Sequence, residues 1–132
     1  MPQVRLIYFS HASNGTSLQD VQEILETARK FNADAGITGK LYFATQYFMQ
    51  VIEGPRLDVN RLYNRILRDD RHQELVLIGY EETNERLFAG WEMDYAPMTD
   101  EINQLISSED DAINPEFLSY QKALDYLKSD AE

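Results

Sequence analysis

The stretch GITGKLYFATQYFMQVIEGP, residues 36–55, decides the architecture. It holds two runs rich in β-branched and aromatic residues, 36–44 and 46–54, joined by a very short turn at Thr45-Gln46. Two such runs so closely joined predict an antiparallel hairpin. Gly54-Pro55 stops the second run, and Pro55 suits the start of a helix. Working outward, VRLIYFS (4–10) reads as a strand followed by a polar Asn-Gly loop. Thr16-Ser17-Leu18-Gln19 fits a capping box with Thr16 as cap and Gln19 as its partner. Val21, Ile24, Leu25, Ala28 and Phe31 then recur at helical spacing, which predicts an amphipathic helix over 17–32. On the other side of the hairpin, Val59, Leu62, Tyr63, Ile66 and Leu67 form a second apolar stripe ending near Asp70. ELVLIGYEE (74–82) is a further strand, and GWEMDY (90–95) a shorter one.

The order is βαββαββ, and its first six elements are the split-βαβ arrangement. The expected fold class is therefore α+β: a ferredoxin-like βαββαβ(β) antiparallel sheet with two helices on one face. After Pro97 the composition shifts. Ile102, Leu105 and Ile106 suggest a short helix. Asn114-Pro115-Glu116 opens a second one, with Phe117, Tyr120, Leu124 and Leu127 at helical spacing. These two short C-terminal helices are expected to cover the other face of the sheet. The division is 1–97 for the main unit and 98–132 for a helical cap, with the terminal SDAE frayed.

Composition narrows the function classes. The chain has 132 residues, 43% of them apolar and 11% aromatic, enough for one domain with its own core. Twelve basic against 23 acidic residues leave a formal net charge of −11. A surface this acidic repels phosphate, which argues against nucleic acid and anionic membranes as partners. The absence of cysteine removes disulfides, thiolate metal sites and cysteine nucleophiles together. The N-terminus has no apolar signal core, and no apolar run approaches the ~20 residues of a membrane span. The expected location is the cytoplasm. His11 and His72 are the only histidines and have no zinc-site spacing. There is no G-x-S-x-G elbow, P-loop or G-x-G-x-x-G.

Polar groups set among apolar ones are more informative. Tyr8 lies within the first strand, and Gln50 within the third, between Met49 and Val51. In this topology the first and third strands are adjacent, so the two side chains can meet on the helix-bearing face. Asn32 ends the first helix; Asp69, Arg71 and His72 end the second. Spacing alone leaves two readings open. Tyr8 and Gln50 satisfy each other inside a core while the Asp-Asp-Arg-His run merely ends a helix, or all of them surround a ligand.

Taken in order, the motifs resemble the BLUF family of flavin-using blue-light sensors over roughly residues 3–97. They are R-L-I-Y-x-S at Arg5–Ser10, A-R-x-x-N at Ala28–Asn32 and G-I-T-G at Gly36–Gly39. F-x-Q-V-x-E-G-P follows at Phe48–Pro55, I-x-x-D-x-R-H at Ile66–His72 and R-x-F-x-x-W-x-M at Arg86–Met93. The resemblance implies a flavin held non-covalently between the two helices, FAD as the expected cofactor and FMN as the alternative. It implies Tyr8 as a redox-active tyrosine and Gln50 as the switching amide between Tyr8 and the flavin. Asn32 would anchor the ring's polar side, and Ile24, Leu25 and Ile66 would sandwich the ring. Asp69, Arg71 and His72 would lie near the flavin and its side chain, with Arg65 reaching the polar tail. Met93 is expected close to Gln50; Trp91 is expected to move or to be partly exposed. Light would draw an electron and then a proton from Tyr8, and rotation or tautomerisation of the Gln50 amide would leave a slightly red-shifted state that decays in the dark.

Two positions depart from the family pattern. Phe31 precedes Asn32 where a polar residue is common, and Lys40 stands where an aliphatic one is, with alternation placing it beside Tyr42 on an exposed face. About 35 residues after Pro97 are too few for a catalytic domain, so the expectation is a stand-alone sensor rather than an enzyme. Its output would be an effector protein acting in trans or a change of oligomer, with a homodimer as default and a basic partner surface favoured by charge. The rival reading is a non-flavin ferredoxin-like regulatory domain binding a small metabolite or a protein. An acylphosphatase-like hydrolase would want an arginine in the loop after the first strand, and HASNGTS has none.

Overall fold

The structure, a computed structural model, describes residues 2–12, 17–44, 47–69, 72–90, 92–98 and 119–131; the side chains of residues 12, 18, 31–35, 72, 73, 92 and 131 lie outside that description. Its elements are β1 (Gln3–Ala12), α1 (Leu18–Ala35), β2 (Thr38–Phe43), β3 (Tyr47–Pro55), α2 (Arg56–Leu67), β4 (His72–Thr83), β5 (Glu92–Pro97) and α3 (Tyr120–Ala131). The strands form one sheet in the order β4-β1-β3-β2-β5. β1 runs antiparallel to both β3 and β4, and β2 to β3. This is the expected α+β architecture, with the predicted hairpin closed by the Ala44 N–H donating to the Tyr47 carbonyl at 2.9 Å.

The sheet is mixed rather than wholly antiparallel, because β5 pairs with β2 in parallel. β4 and β5 occupy opposite edges, so the chain crosses the sheet between them. Phe88, in the crossing segment, is fully buried against Ile7, Phe9, Tyr42, Met49 and Val51, on the face away from α1 and α2. Parallel pairing requires such a crossover.

β1 is covered on both faces, which explains its continuous apolar run. Val4, Leu6 and Tyr8 pack with Val21, Ile24, Leu25, Ala28, Val59, Leu62 and Ile66 from α1 and α2. Ile7 and Phe9, on the alternate side, pack with Ala123, Tyr126 and Leu127 of α3. A C-terminal helix thus covers the second face. The expected first helix around Ile102–Ile106 and the Asn114-Pro115 cap lie outside the described residues.

Three local expectations are corrected. The cap of α1 lies one residue later than predicted: Ser17 Oγ accepts from the Asp20 N–H at 3.1 Å, and Asp20 Oδ2 accepts from the Ser17 N–H at 3.2 Å. The negative charge of Asp20 near the helix N-terminus makes it the better partner, and Gln19 bonds Glu23 instead. The C-terminus is ordered further than SDAE suggested, since α3 continues through Ala131. Lys40 is not exposed: it is 7% accessible. Its Nζ donates to Asp130 Oδ2 at 2.6 Å, and the Tyr42 hydroxyl donates to the same oxygen at 2.5 Å. The last turn of α3 therefore covers Lys40 and supplies its counter-charge.

Among the described residues, no helix is long and apolar enough to cross a membrane. Among them also, no group of three or more histidine or acidic residues could hold a metal ion.

Candidate functional site

Tyr8 and Gln50 are directly opposite in the β1–β3 register, and both are fully buried. Their side chains lie on the face covered by α1 and α2, where the Tyr8 hydroxyl donates to Gln50 Oε1. Gln50 Nε2 in turn donates to Met93 Sδ at 3.1 Å. A thioether can only accept, so the amide nitrogen must face Met93 and the oxygen must face Tyr8. The three side chains form a directed series, Tyr8 donating to Gln50 and Gln50 donating to Met93.

Burial, the charge of Asp69 and then the neighbouring Tyr63 phenol raise the Tyr8 pKa well above that of an ordinary tyrosine. Tyr8 therefore stays a protonated donor in its resting state. The Tyr63 ring from α2 stands 6.1 Å from the Tyr8 ring, inclined at 52°.

Above Gln50 a cleft opens between α1 and α2. Ile24, Thr27 and Ala28 line it from α1; Leu62, Arg65 and Ile66 line it from α2, with Asp69 just beyond that helix and Gln50 at the sheet. The space between its walls, open solvent included, is about 310 Å³. The walls are mostly aliphatic, an amide lies at the floor, and a hydroxyl, a guanidinium and a carboxylate complete the lining. This combination fits a flat aromatic ring with one polar edge, since such sites combine apolar walls with a few fixed polar groups.

Of the predicted site residues, the structure brings together Tyr8, Gln50 and Met93 by hydrogen bonds, and Ile24, Arg65, Ile66 and Asp69 around the cleft. Leu25 is buried in the core beneath α1. Asn32 lies in the last turn of α1 and His72 begins β4, but their side chains, like all of Arg71 and Trp91, lie outside the described residues. Sequence reading did not single out Thr27, Ala28, Leu62 or Tyr63 as site residues. The helical offsets from Ile24 and Ile66 were the available signal, because residues three or four apart share a face.

The family described as "BLUF: Sensors of blue-light using FAD" matches residues 3–94. The chain is 33% identical over 113 residues to the photoactivated adenylate cyclase subunit beta of Euglena longa, covering 78% of this chain and 13% of that protein. It is 34% identical over 71 residues to the blue light- and temperature-regulated antirepressor BluF of Escherichia coli K12, covering 54% of this chain and 18% of that one. These curated relatives are thus much longer than the region they share with this chain. Among solved structures, BlsA in its ground state superposes with a TM-score of 0.82 at 33% identity, covering 96% of this chain and 86% of that one. The dark state of BlrB, a BLUF protein, gives 0.78 at 28% identity over 98% and 96% of the two chains. With the family match spanning most of the fold, the chain belongs to the BLUF family, whose members sense blue light using FAD.

Proposed function

We propose that this chain is a photosensory switch in which FAD lies in the α1/α2 cleft and Tyr8, Gln50 and Met93 are the responding hydrogen-bonded set. The observation that carries the reading is the buried Tyr8–Gln50–Met93 series at the floor of that cleft. Bound FAD supplies blue-light absorption and a strongly oxidising excited state. Tyr8 is the nearby donor: it would give an electron to the excited flavin and pass its proton along its bond to Gln50. When both return, Tyr8 is restored and the amide is left rotated or tautomerised. Rotation turns Oε1 toward Met93 Sδ, two acceptors without a proton between them, so the contact with Met93 is lost. No covalent bond is made, and the resting arrangement returns thermally in darkness.

Ile24 and Ile66 hold the ring's faces, with Leu25 supporting from below. Asn32, Asp69, Arg71 and His72 serve its polar side and side chain, and Arg65 the polar tail. Residues 1–97 form the sensory unit and 98–132 its helical cap. Met93, with Trp91 two residues before it, carries the change into β5, and α3 carries it onward to an effector protein in trans or to a change of oligomer, a homodimer being the simplest. The relatives' names include cyclases and an antirepressor, so the effector class varies within the family.

Visible spectra taken in the dark and after a blue flash test the reading. The protein should show a small red shift that reverses in darkness. Gln50→Leu should bind flavin without shifting, and Tyr8→Phe should photocycle poorly or not at all. A normal shift in Gln50→Leu would overturn the mechanism.

A further inference from the structure

Met93 has a backbone φ of 78°, a left-handed value on a strand. Bulky residues seldom adopt it, and such strain persists only where the surroundings hold it. It lies where the β2–β5 pairing slips: Gly39 faces Glu92 while Lys40 faces Asp94, so Met93 is the extra residue of a β-bulge. The bulge turns its side chain into the core beneath α1. The methyl end packs over Gly39: a Cβ there would lie 3.1 Å from Met93 Cε, and it is excluded outright by the Val51 carbonyl oxygen at 2.1 Å. Two hydrogen bonds grip the residue there. One is Gln50 Nε2 to the thioether; the other comes from α1, where Arg29 Nη2 donates to the Met93 carbonyl at 3.2 Å.

We propose that Arg29 is a positioning residue for the switch. Its guanidinium holds the Met93 carbonyl, and with it the strained bulge, so that Sδ stays on the Gln50 amide. Arg29 follows Ala28, which lines the cleft, so the same turn of α1 walls the candidate flavin site and fixes the strand that touches the amide. Without Arg29 the backbone at Met93 has less to hold it left-handed, and relaxing toward an extended φ draws Sδ away from Gln50. The functional meaning rests on the reading of Gln50 as the switch; the clamp is a separate property of the resting protein.

The test uses the dark holoprotein carrying ¹³C-methyl methionine, with the Met93 signal assigned by its loss in Met93→Leu. Arg29→Ala should shift or broaden the Met93 methyl while leaving Met49, buried on the opposite face, unchanged. Amide exchange over residues 92–97 should rise roughly two- to tenfold, the range for losing one hydrogen bond. Arg29→Lys, which keeps a cationic donor, should restore most of both. The proposal fails if Arg29→Ala leaves the Met93 methyl and β5 exchange as they were. It fails equally if Met49 moves as much as Met93, since that would be general loosening. A wild-type protein with no red shift would overturn the photoswitch reading while leaving the methyl result intact, so the two failures are distinguishable.

Discussion

Tyr8 is a phenol that the fold keeps protonated, and burial acts in the same way on Tyr42 and Tyr120 on the other face of the sheet. Burial is the leading cause in each case: it raises Tyr8 and Tyr42 well above the ordinary range and Tyr120 to about 12. Hydrogen bonds to carboxylates add to the shift at Tyr42 and Tyr120, through Asp130 and Glu81. An unfolded tyrosine ionises near pH 10. Above that pH the unfolded chain loses protons that the folded chain retains, so stability falls as pH rises through 10 and toward the folded values. Melting temperatures measured from pH 8 to 11 should therefore be flat at first and then decline steeply beyond about 10. Tyr42→Phe should soften that decline, because it removes one of the shifted groups. A curve that stays flat to pH 11 would mean these phenols are not buried as described. The Tyr8–Gln50 pairing was legible in the sequence because strand alternation and strand order together place both residues. The Met93 conformation was not, since a left-handed residue in a strand is set by the slip of register against Gly39 and by Arg29, neither of which has a local signature.

At the scale of elements, α3 is held at both ends. Its first residue, Tyr120, donates to Glu81 of β4, and its last full turn places Asp130 on Lys40 and Tyr42 of β2. Burial by itself would raise the Asp130 pKa, but the hydrogen bonds from Lys40 and Tyr42 and the Lys40 charge outweigh it, and the net shift is downward. The carboxylate's contribution is thus present above the unfolded value near 3.8 and is lost as pH falls through the lower folded value. Docking of α3 should weaken below about pH 4, read as faster amide exchange over 120–131. Asp130→Ala should do the same at neutral pH and cost on the order of 1–3 kcal/mol, because it leaves the buried Lys40 ammonium without its carboxylate. Replacing Lys40 and Asp130 together by leucine should recover much of that loss. If Asp130→Ala leaves α3 exchange unchanged, the pair does not hold the helix. Sequence reading put Lys40 on the correct face yet expected exposure, because nothing local to β2 shows that a helix ninety residues later lands there.

Across the whole molecule, the sensory core and the far face are joined by the segment that crosses from β4 to β5, and one buried carboxylate organises it. Glu53 is fully buried on β3. It accepts from Arg5 Nε at 2.9 Å, from the Leu87 N–H at 2.9 Å and from the Phe88 N–H at 2.8 Å. Arg5 also donates to Glu81 Oε1 at 3.1 Å and to the Glu85 carbonyl at 2.9 Å, so β1, β3, β4 and the crossing segment share one charge network. Tyr120 reaches the same Glu81, which brings the start of α3 into it. From sequence, Glu53 was only a letter in a family motif, because its three partners are distant in the chain and two are backbone groups. Glu53→Gln keeps the volume but turns two N–H donors toward any donor that its amide nitrogen meets, and it leaves Arg5 without that counter-charge. Arg5 keeps Glu81 as its other carboxylate, so the cost is that of mispaired buried hydrogen bonds, about 1–3 kcal/mol. The loss should concentrate in the crossing segment: amide exchange over 84–90 should accelerate far more than over β1. Because that segment leads into β5, the Met93 methyl should sense the change while the Tyr8–Gln50 bond, anchored in the central strands, stays formed. Equal acceleration in β1 and in 84–90 would show instead that Glu53 supports the whole sheet rather than the route by which β5 is delivered to Gln50.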